Sequence, residues 1–255
     1  GESSIALTEG ERLTLRQVLQ ASLIKSANDA TVMLAEAVGG SVEEFVAQMN
    51  QAAVRLGLTE THFTNPHGLH AAEHYSTARD LGLLAWETMR HPDFAAIVGT
   101  RQTQIPWPGK PWQRSLINRN RLLLRWSACD GIKTGYTRQA GRCLAASATR
   151  DDWRLICVVL KCKNSWEDAR HLLEWGFAHF EHHRLAVAGQ PGYRVPVRWG
   201  RQEEVIARAE QDLGVTVPRG QSVPAVRPKT SGKSFSATAP DAFTPSSTAM
   251  AVASA

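Results

Sequence analysis

Leu15, Val18, Leu19 and Leu23 recur at the three-and-four spacing of a buried helix face, and Thr14-Leu-Arg-Gln17 has the form of a capping box, so a helix is predicted to run to about Lys25. Asp29 is placed to cap a second, Ala-rich helix that stops at Gly39-Gly40. Ser41-Val-Glu-Glu44 opens a third, whose stripe of Phe45, Val46, Met49, Ala53 and Leu56 ends at Gly57. A loop containing Pro and His spans about Asn65 to Tyr75, and Thr77 to Met89 predicts another helix, closed by His91-Pro92. From about Ile132 the period changes. Cys143–Thr149 and Trp153–Leu160 have strand character on either side of an Arg-Asp-Asp turn, which predicts a hairpin. A long amphipathic helix then offers Trp166, Leu172, Leu173, Trp175, Phe177 and Phe180 to the sheet. Helices first, then strands with a covering helix, predict a mixed α/β (α+β) domain over 1–186. Short strands at Tyr193–Trp199 and Val215–Pro218 predict a partial β module over 187–222.

Composition changes this picture at the C-terminal end. Of residues 221–255, 23 of 35 are Ala, Ser, Thr or Pro, so 223–255 is expected to be a disordered tail that cannot bury enough apolar surface to order itself. The rest, at 43% hydrophobic and 21% charged, is ordinary globular usage. A formal charge of +5 suits an anionic partner but lacks the dense basic runs of a nucleic-acid-binding domain. Arg114, Arg119, Arg121 and Arg125 are expected to form a solvated basic rim. No apolar run reaches transmembrane length and no signal peptide opens the chain, which starts at Gly1 and on that ground is expected to be a processed product or a fragment. Cys129, Cys143, Cys157 and Cys162 make no C-x-x-C pair and are expected to be scattered core thiols. His67, His70, His74 and Glu73 could be metal ligands by type, but they lie in the loop of Asn65 to Tyr75, and no metal or cofactor is expected. Gly232-Lys-Ser234 lacks the first glycine of a P-loop, since Arg stands at 227.

Two polar motifs interrupt apolar elements. Ser26-Ala-Asn28 sits at a helix-to-helix junction, where it is either a cap or a hydroxyl and carboxamide projecting into a cleft. Lys133-Thr-Gly135, after Asp130-Gly-Ile, is expected at the start of a strand. There Lys133 is either solvated or, with Thr134, an anion grip beside a glycine that a ligand backbone can approach.

Taken together, Ser-x-Asn and a later Lys-Thr-Gly resemble the second and third signatures of the penicillin-binding serine acyltransferases. Ser26-Ala-Asn-Asp-Ala30, Thr61-His-Phe-Thr-Asn-Pro-His-Gly-Leu69, Tyr75-Ser-Thr-Ala-Arg-Asp80, Asn118-Arg-Asn120 and Asp130-Gly-Ile-Lys-Thr-Gly-Tyr-Thr137 narrow the resemblance to the D-alanyl-D-alanine carboxypeptidase family. It implies a β-lactamase/transpeptidase-like fold, an antiparallel sheet packed by helices. It implies a serine-type hydrolase, extracytoplasmic, that removes the terminal D-Ala of peptidoglycan stem peptides through an acyl-enzyme and is inhibited by β-lactams. Ser26 and Asn28 would relay protons and hold the peptide amide; Lys133 and Thr134 would bind the carboxylate; the backbone at Gly135 and Tyr136 would line the oxyanion side. The family's nucleophile and base lie in an S-x-x-K segment well upstream of Ser-x-Asn. The S-x-x-K present here, Ser22-Leu-Ile-Lys25, falls one turn before Ser26, so the chain is expected to lack its own nucleophile. The alternative is a muropeptide-binding module without catalysis.

Overall fold

A computed structural model describes residues 3–197 and 202–223, together with backbone strands at Pro228–Ser231, Ser234–Ala237 and Thr248–Ala253. The order of elements is helical first: α1 (Leu15–Gln20), a π-helical turn (Ala21–Lys25), α2 (Asn28–Gly39), α3 (Val42–Arg55), α4 (Ala78–Met89) and α5 (Pro92–Val98). Then come a small hairpin, β1 (Gln102–Ile105) and β2 (Arg114–Ile117), and a one-turn α6 (Arg121–Arg125). The sheet strands β3 (Cys129–Thr137), β4 (Gly141–Arg150) and β5 (Trp153–Cys162) follow, and then α7 (Ser165–His179), whose Ala169 carbonyl accepts the Cys157 thiol of β5. The mixed α/β class with an antiparallel sheet is the one predicted.

Several starts are set by the predicted chemistry. The Thr14 hydroxyl accepts from the Gln17 N–H and the Gln17 side chain accepts from the Thr14 N–H, a complete capping box. The Ser41 hydroxyl accepts the Glu44 N–H at the start of α3, a single cap bond, and at the start of α4 Thr77, read only as the first residue of that helix, instead caps it by accepting the Asp80 N–H. Four expectations are corrected. The first helix does not run on as α-helix to Lys25, because its last turn widens to π geometry. Asp29 is not the cap of α2: Ala27 holds that position, and Asp29 lies inside the first turn. Phe180 is not helical; it begins β6 (Phe180–Ala186). Pro92 likewise opens α5, at the position where a missing N–H costs nothing, instead of only ending α4.

The sheet runs β5-β4-β3, with Thr248–Ala253 beside β5. β4 and β5 are joined at Asp151-Asp152, both with positive φ, the backbone of a two-residue hairpin turn. One core cluster lies among the helices and the small hairpin (Val18, Ala21, Ile24, Ala27, Ala30, Ile97, Ile105, Leu116). A second joins α4 and α5 to the sheet (Ala85, Met89, Val98, Ile132, Ile156). α5 therefore belongs to both. It crosses β3 so closely that a Cβ on Gly131 would lie 3.0 Å from Val98 Cγ2, and one on Gly99 would lie 3.1 Å from the Asp130 carbonyl.

The chain divides into two compact units between Glu174 and Trp175, ahead of the change of pattern at 186–187, with Asp152–Arg154 counted in the second. The second unit carries β6, β7 (Pro191–Pro196), β8 (Glu204–Arg208) and β9 (Leu213–Pro218), paired β6 with β9 and β7 with β8. Within 223–255, where composition predicts disorder, Pro228–Ser231 and Ser234–Ala237 pair as a hairpin, and apart from Val223 the residues outside the three strands are not among those described, so the expectation for them lies outside the described residues. No helix of the described residues is long and apolar enough to cross a membrane.

Candidate active site

The π-turn ends in a tight backbone reversal. The Ser26 and Ala27 N–H groups both converge on the Ala21 carbonyl, and Ser26 itself is left-handed, at φ 61° and ψ 42°. A non-glycine residue held there is disfavoured by roughly 1–2 kcal/mol, and such turns concentrate at functional positions. The reversal turns the Ser26 hydroxyl away from the helix stack and toward β3. The N-terminal segment holds it in place from the other side. Ser3 Oγ donates to the Lys25 carbonyl (3.0 Å), and the Asn28 N–H donates to the Ser3 carbonyl (2.7 Å). The Asp29 carboxylate then collects the Ser4 hydroxyl and the N–H groups of Ile5, Leu7 and Ala30. Burial alone would raise the Asp29 pKa; these donors outweigh it and hold the carboxyl below its usual value.

Lys133 is the partner from the sheet. It sits in the middle of β3, not at its start as expected, because pairing with β4 already begins at Cys129 opposite Ala148. Its ammonium donates to Ser26 Oγ at 2.7 Å and to the Thr134 carbonyl at 2.8 Å. Burial, and secondly the Arg119 guanidinium, bring the amine from 10.5 down to about 8. The side chain is half-buried, not a solvated strand lysine. Ser26 thus has an amine beside it, 107 residues away in sequence, which the sequence motifs alone did not reveal. An amine near 8 and a hydroxyl at hydrogen-bond distance can exchange a proton, and the charged form can hold an anion.

The remaining predicted residues line the same edge. Thr134 and Gly135 pair with Leu144 and Cys143 of β4. A Cβ on Gly135 would make only an ordinary 3.7 Å contact with Cys143, so internal packing does not require glycine there, and the exposed backbone is left open to approach. Tyr136 is 68% exposed. Asn28 is half-buried on the first turn of α2, two residues beyond Ser26. Ser22 is buried in the π-turn, its hydroxyl without a partner among the described residues.

Other sequence readings resolve differently. Arg114 is not part of a solvated rim. It is 4% exposed and forms a two-pronged ion pair with the buried Glu11, also donating to the Ala6 and Pro106 carbonyls. Arg119, Arg121 and Arg125 are exposed. Cys129 and Cys157 are buried, with thiols pushed up to about 11 and about 12 by burial, whereas Cys143 and Cys162 are only half-buried; all four are free. In the histidine loop, His74 Nδ1 accepts the Thr64 N–H (3.1 Å) and His62 Nδ1 meets the Glu73 carbonyl (2.7 Å), so these ring nitrogens serve the loop backbone. No group of His, Cys, Asp or Glu among the described residues is arranged to hold a metal.

A model of the D-alanyl-D-alanine carboxypeptidase family matches residues 1–164. The chain is 35% identical over 228 residues to D-alanyl-D-alanine carboxypeptidase DacF of Bacillus subtilis (88% of this chain, 58% of that protein). It is 38% identical over 228 residues to DacC of Escherichia coli (87% and 55%). It thus spans a little over half the length of these curated relatives. Among solved structures it is similar to penicillin binding protein 5 from Haemophilus influenzae, with a TM-score of 0.76 and 34% identity over 91% of this chain and 68% of that one. It is also similar to a mutant Streptomyces K15 DD-transpeptidase, with a TM-score of 0.66 and 32% identity over 69% and 73%. Family match, identity and fold agree: the chain belongs to the D-alanyl-D-alanine carboxypeptidase family.

Proposed function

We propose that this domain binds peptidoglycan stem peptides ending in D-Ala-D-Ala, outside the cytoplasm, and supplies the proton-transfer and carboxylate-binding half of a serine-type carboxypeptidase site. The observation that carries this is the Lys133 ammonium bridging Ser26 Oγ and the Thr134 carbonyl on an exposed strand edge. A terminal carboxylate meets Lys133 and the Thr134 hydroxyl, while the peptide backbone runs along β3 at Gly135 and Tyr136. Asn28 holds the amide next to the scissile bond. The acyl-enzyme itself is formed by the S-x-x-K serine of the family, which loses its proton to the S-x-x-K lysine as its oxygen attacks the carbonyl; in that same step Ser26 and Lys133 pass a proton to the D-Ala amine as the amide C–N bond breaks and D-Ala leaves. β-Lactams, as substrate mimics, occupy the same edge.

The binding-only reading is favoured by one observation, that Ser22 of the chain's own S-x-x-K is buried inside the π-turn. Two measurements separate the readings. Titration of a diacetyl-Lys-D-Ala-D-Ala peptide against its C-terminal amide is expected to show clear preference for the free acid; equal affinity overturns the substrate assignment. Intact-mass spectrometry after incubation with penicillin is expected to show no adduct on Ser22 or Ser26. A stoichiometric adduct there would show that a serine of this chain is itself the nucleophile.

A further inference from the structure

Asn118 and Asn120 flank Arg119 at the end of β2, and both are almost fully buried, at 5% and 1% exposure. Buried carboxamides are expensive unless every polar atom is used. Here they are used to tie three elements together. The Asn118 side-chain N–H₂ donates to the carbonyls of Val98 (3.1 Å) and Thr100 (3.0 Å) at the C-terminal end of α5. Its Oδ1 accepts the Asn120 N–H (2.9 Å). The Asn120 Oδ1 in turn caps α6 through the Leu122 N–H (3.0 Å), and its N–H₂ donates to the Gly131 carbonyl (3.0 Å) on β3.

Gly131 lies two residues before Lys133 on the same strand. On its far side, Asp130 accepts the hydroxyls of Ser147 and Thr149 on β4. The first residues of β3 are therefore clamped between β4 and the asparagine pair, while α5 presses on Gly131 from above. α5 also shares its core cluster with the π-turn that presents Ser26. The two halves of the Ser26–Lys133 bond come from elements that are not neighbours in sequence, and α5 with the asparagine pair is the connection between them.

We propose that Asn120, braced by Asn118, is a positioning residue for Lys133: it fixes the start of β3 against α5 and so keeps the Lys133 ammonium within reach of the Ser26 hydroxyl. The proposal rests on Lys133 being a site residue, but its test uses no ligand, so its failure and a failure of peptide binding are separate results. The outward residue of the same turn, Arg119, is carried at a fixed place beside Lys133 by the same bonds.

The test is the titration of Lys133 in [13C]lysine-labelled protein, its resonance identified by its absence in Lys133→Arg. In Asn120→Ala the strand start relaxes, the ammonium gains water and moves from Arg119, and the midpoint is expected to rise by at least about half a pH unit, about a threefold change in protonation constant. Asn118→Ala, which loses only the two bonds to α5, is expected to move it in the same direction and carries the test if Asn120→Ala does not fold. Asn50→Ala is the control. It removes two side-chain bonds to the Phe63 backbone and should lower the melting temperature with the Lys133 midpoint unchanged. If the folded asparagine variants titrate as the parent does, or if Asn50→Ala shifts the midpoint as much, the asparagines are structural only and the proposal fails.

Discussion

Glu11→Gln is the sharpest test of how the N-terminal segment is held. In the parent, the Arg114 guanidinium donates to both oxygens of Glu11, with side-chain exposures of 4% and 2% for arginine and glutamate. Glutamine keeps the shape and removes the counter-charge. A buried cation deprived of its partner typically costs about 3–5 kcal/mol. Arg114 retains the carbonyls of Ala6 and Pro106 and the face of Trp107 at 4.9 Å, which places the expected loss at the lower end, about 3 kcal/mol. For a chain of this size that is a fall in Tm of roughly 6–12 °C. The arginine bond holds the Glu11 carboxyl below its ordinary 4.5, so its stabilisation is full above that value and is lost as pH falls through the lowered folded value. Urea denaturation of parent and variant between pH 7 and pH 3 should therefore show the gap closing on the acid side. The double variant Glu11→Leu/Arg114→Met should recover most of the loss. A Glu11→Gln loss below about 1 kcal/mol at pH 7 would refute the buried-pair argument, since that is the range of exposed pairs.

Three further outcomes follow from the site. With the Lys133 amine at about 8, affinity for a free-acid D-Ala-D-Ala peptide should fall roughly tenfold between pH 7 and pH 9 as the ammonium is lost, measurable by calorimetry; a flat profile contradicts charge-based recognition. The unfolded chain binds more protons than the folded one between about 8 and 10.5 at this group, so Lys133 contributes a rise in stability with pH across that window, absent in Lys133→Met. Ser26→Gly should raise stability by about 1 kcal/mol by relieving the left-handed backbone, while weakening peptide handling because the hydroxyl is gone. A destabilised glycine variant would show that the Lys133 bond outweighs the strain.

What was legible in the sequence was local. The capping box at Thr14, the helix start at Ser41, and the hairpin either side of Asp151 all depend on residues within a few positions of one another, and each is found. Arg114 was misplaced on the surface because its partner, Glu11, lies 103 positions earlier, and a charge run carries no mark of which member turns inward. Asp29 has the composition of a cap, but the incoming Ser4–Leu7 segment offers it more donors than the helix does. The Ser26 and Lys133 motifs could be named singly, while the 2.7 Å bond between them depends on the π-turn and the strand register. Neither has a periodicity signal. Asn118 and Asn120 were visible only as part of a family resemblance, because a buried carboxamide and an exposed one are the same letter.

The central claim is that Lys133 anchors the terminal carboxylate, and the most direct measurement is the Kd of diacetyl-Lys-D-Ala-D-Ala for the parent and for Lys133→Ala. A hydrogen bond to a charged group contributes about 1.5–3 kcal/mol, and about 1.4 kcal/mol is tenfold, so the variant should bind at least about tenfold more weakly. Its fold should persist, because the side chain is half-buried at a strand edge and its loss opens no core cavity. Equal affinity in a folded Lys133→Ala protein would contradict the account.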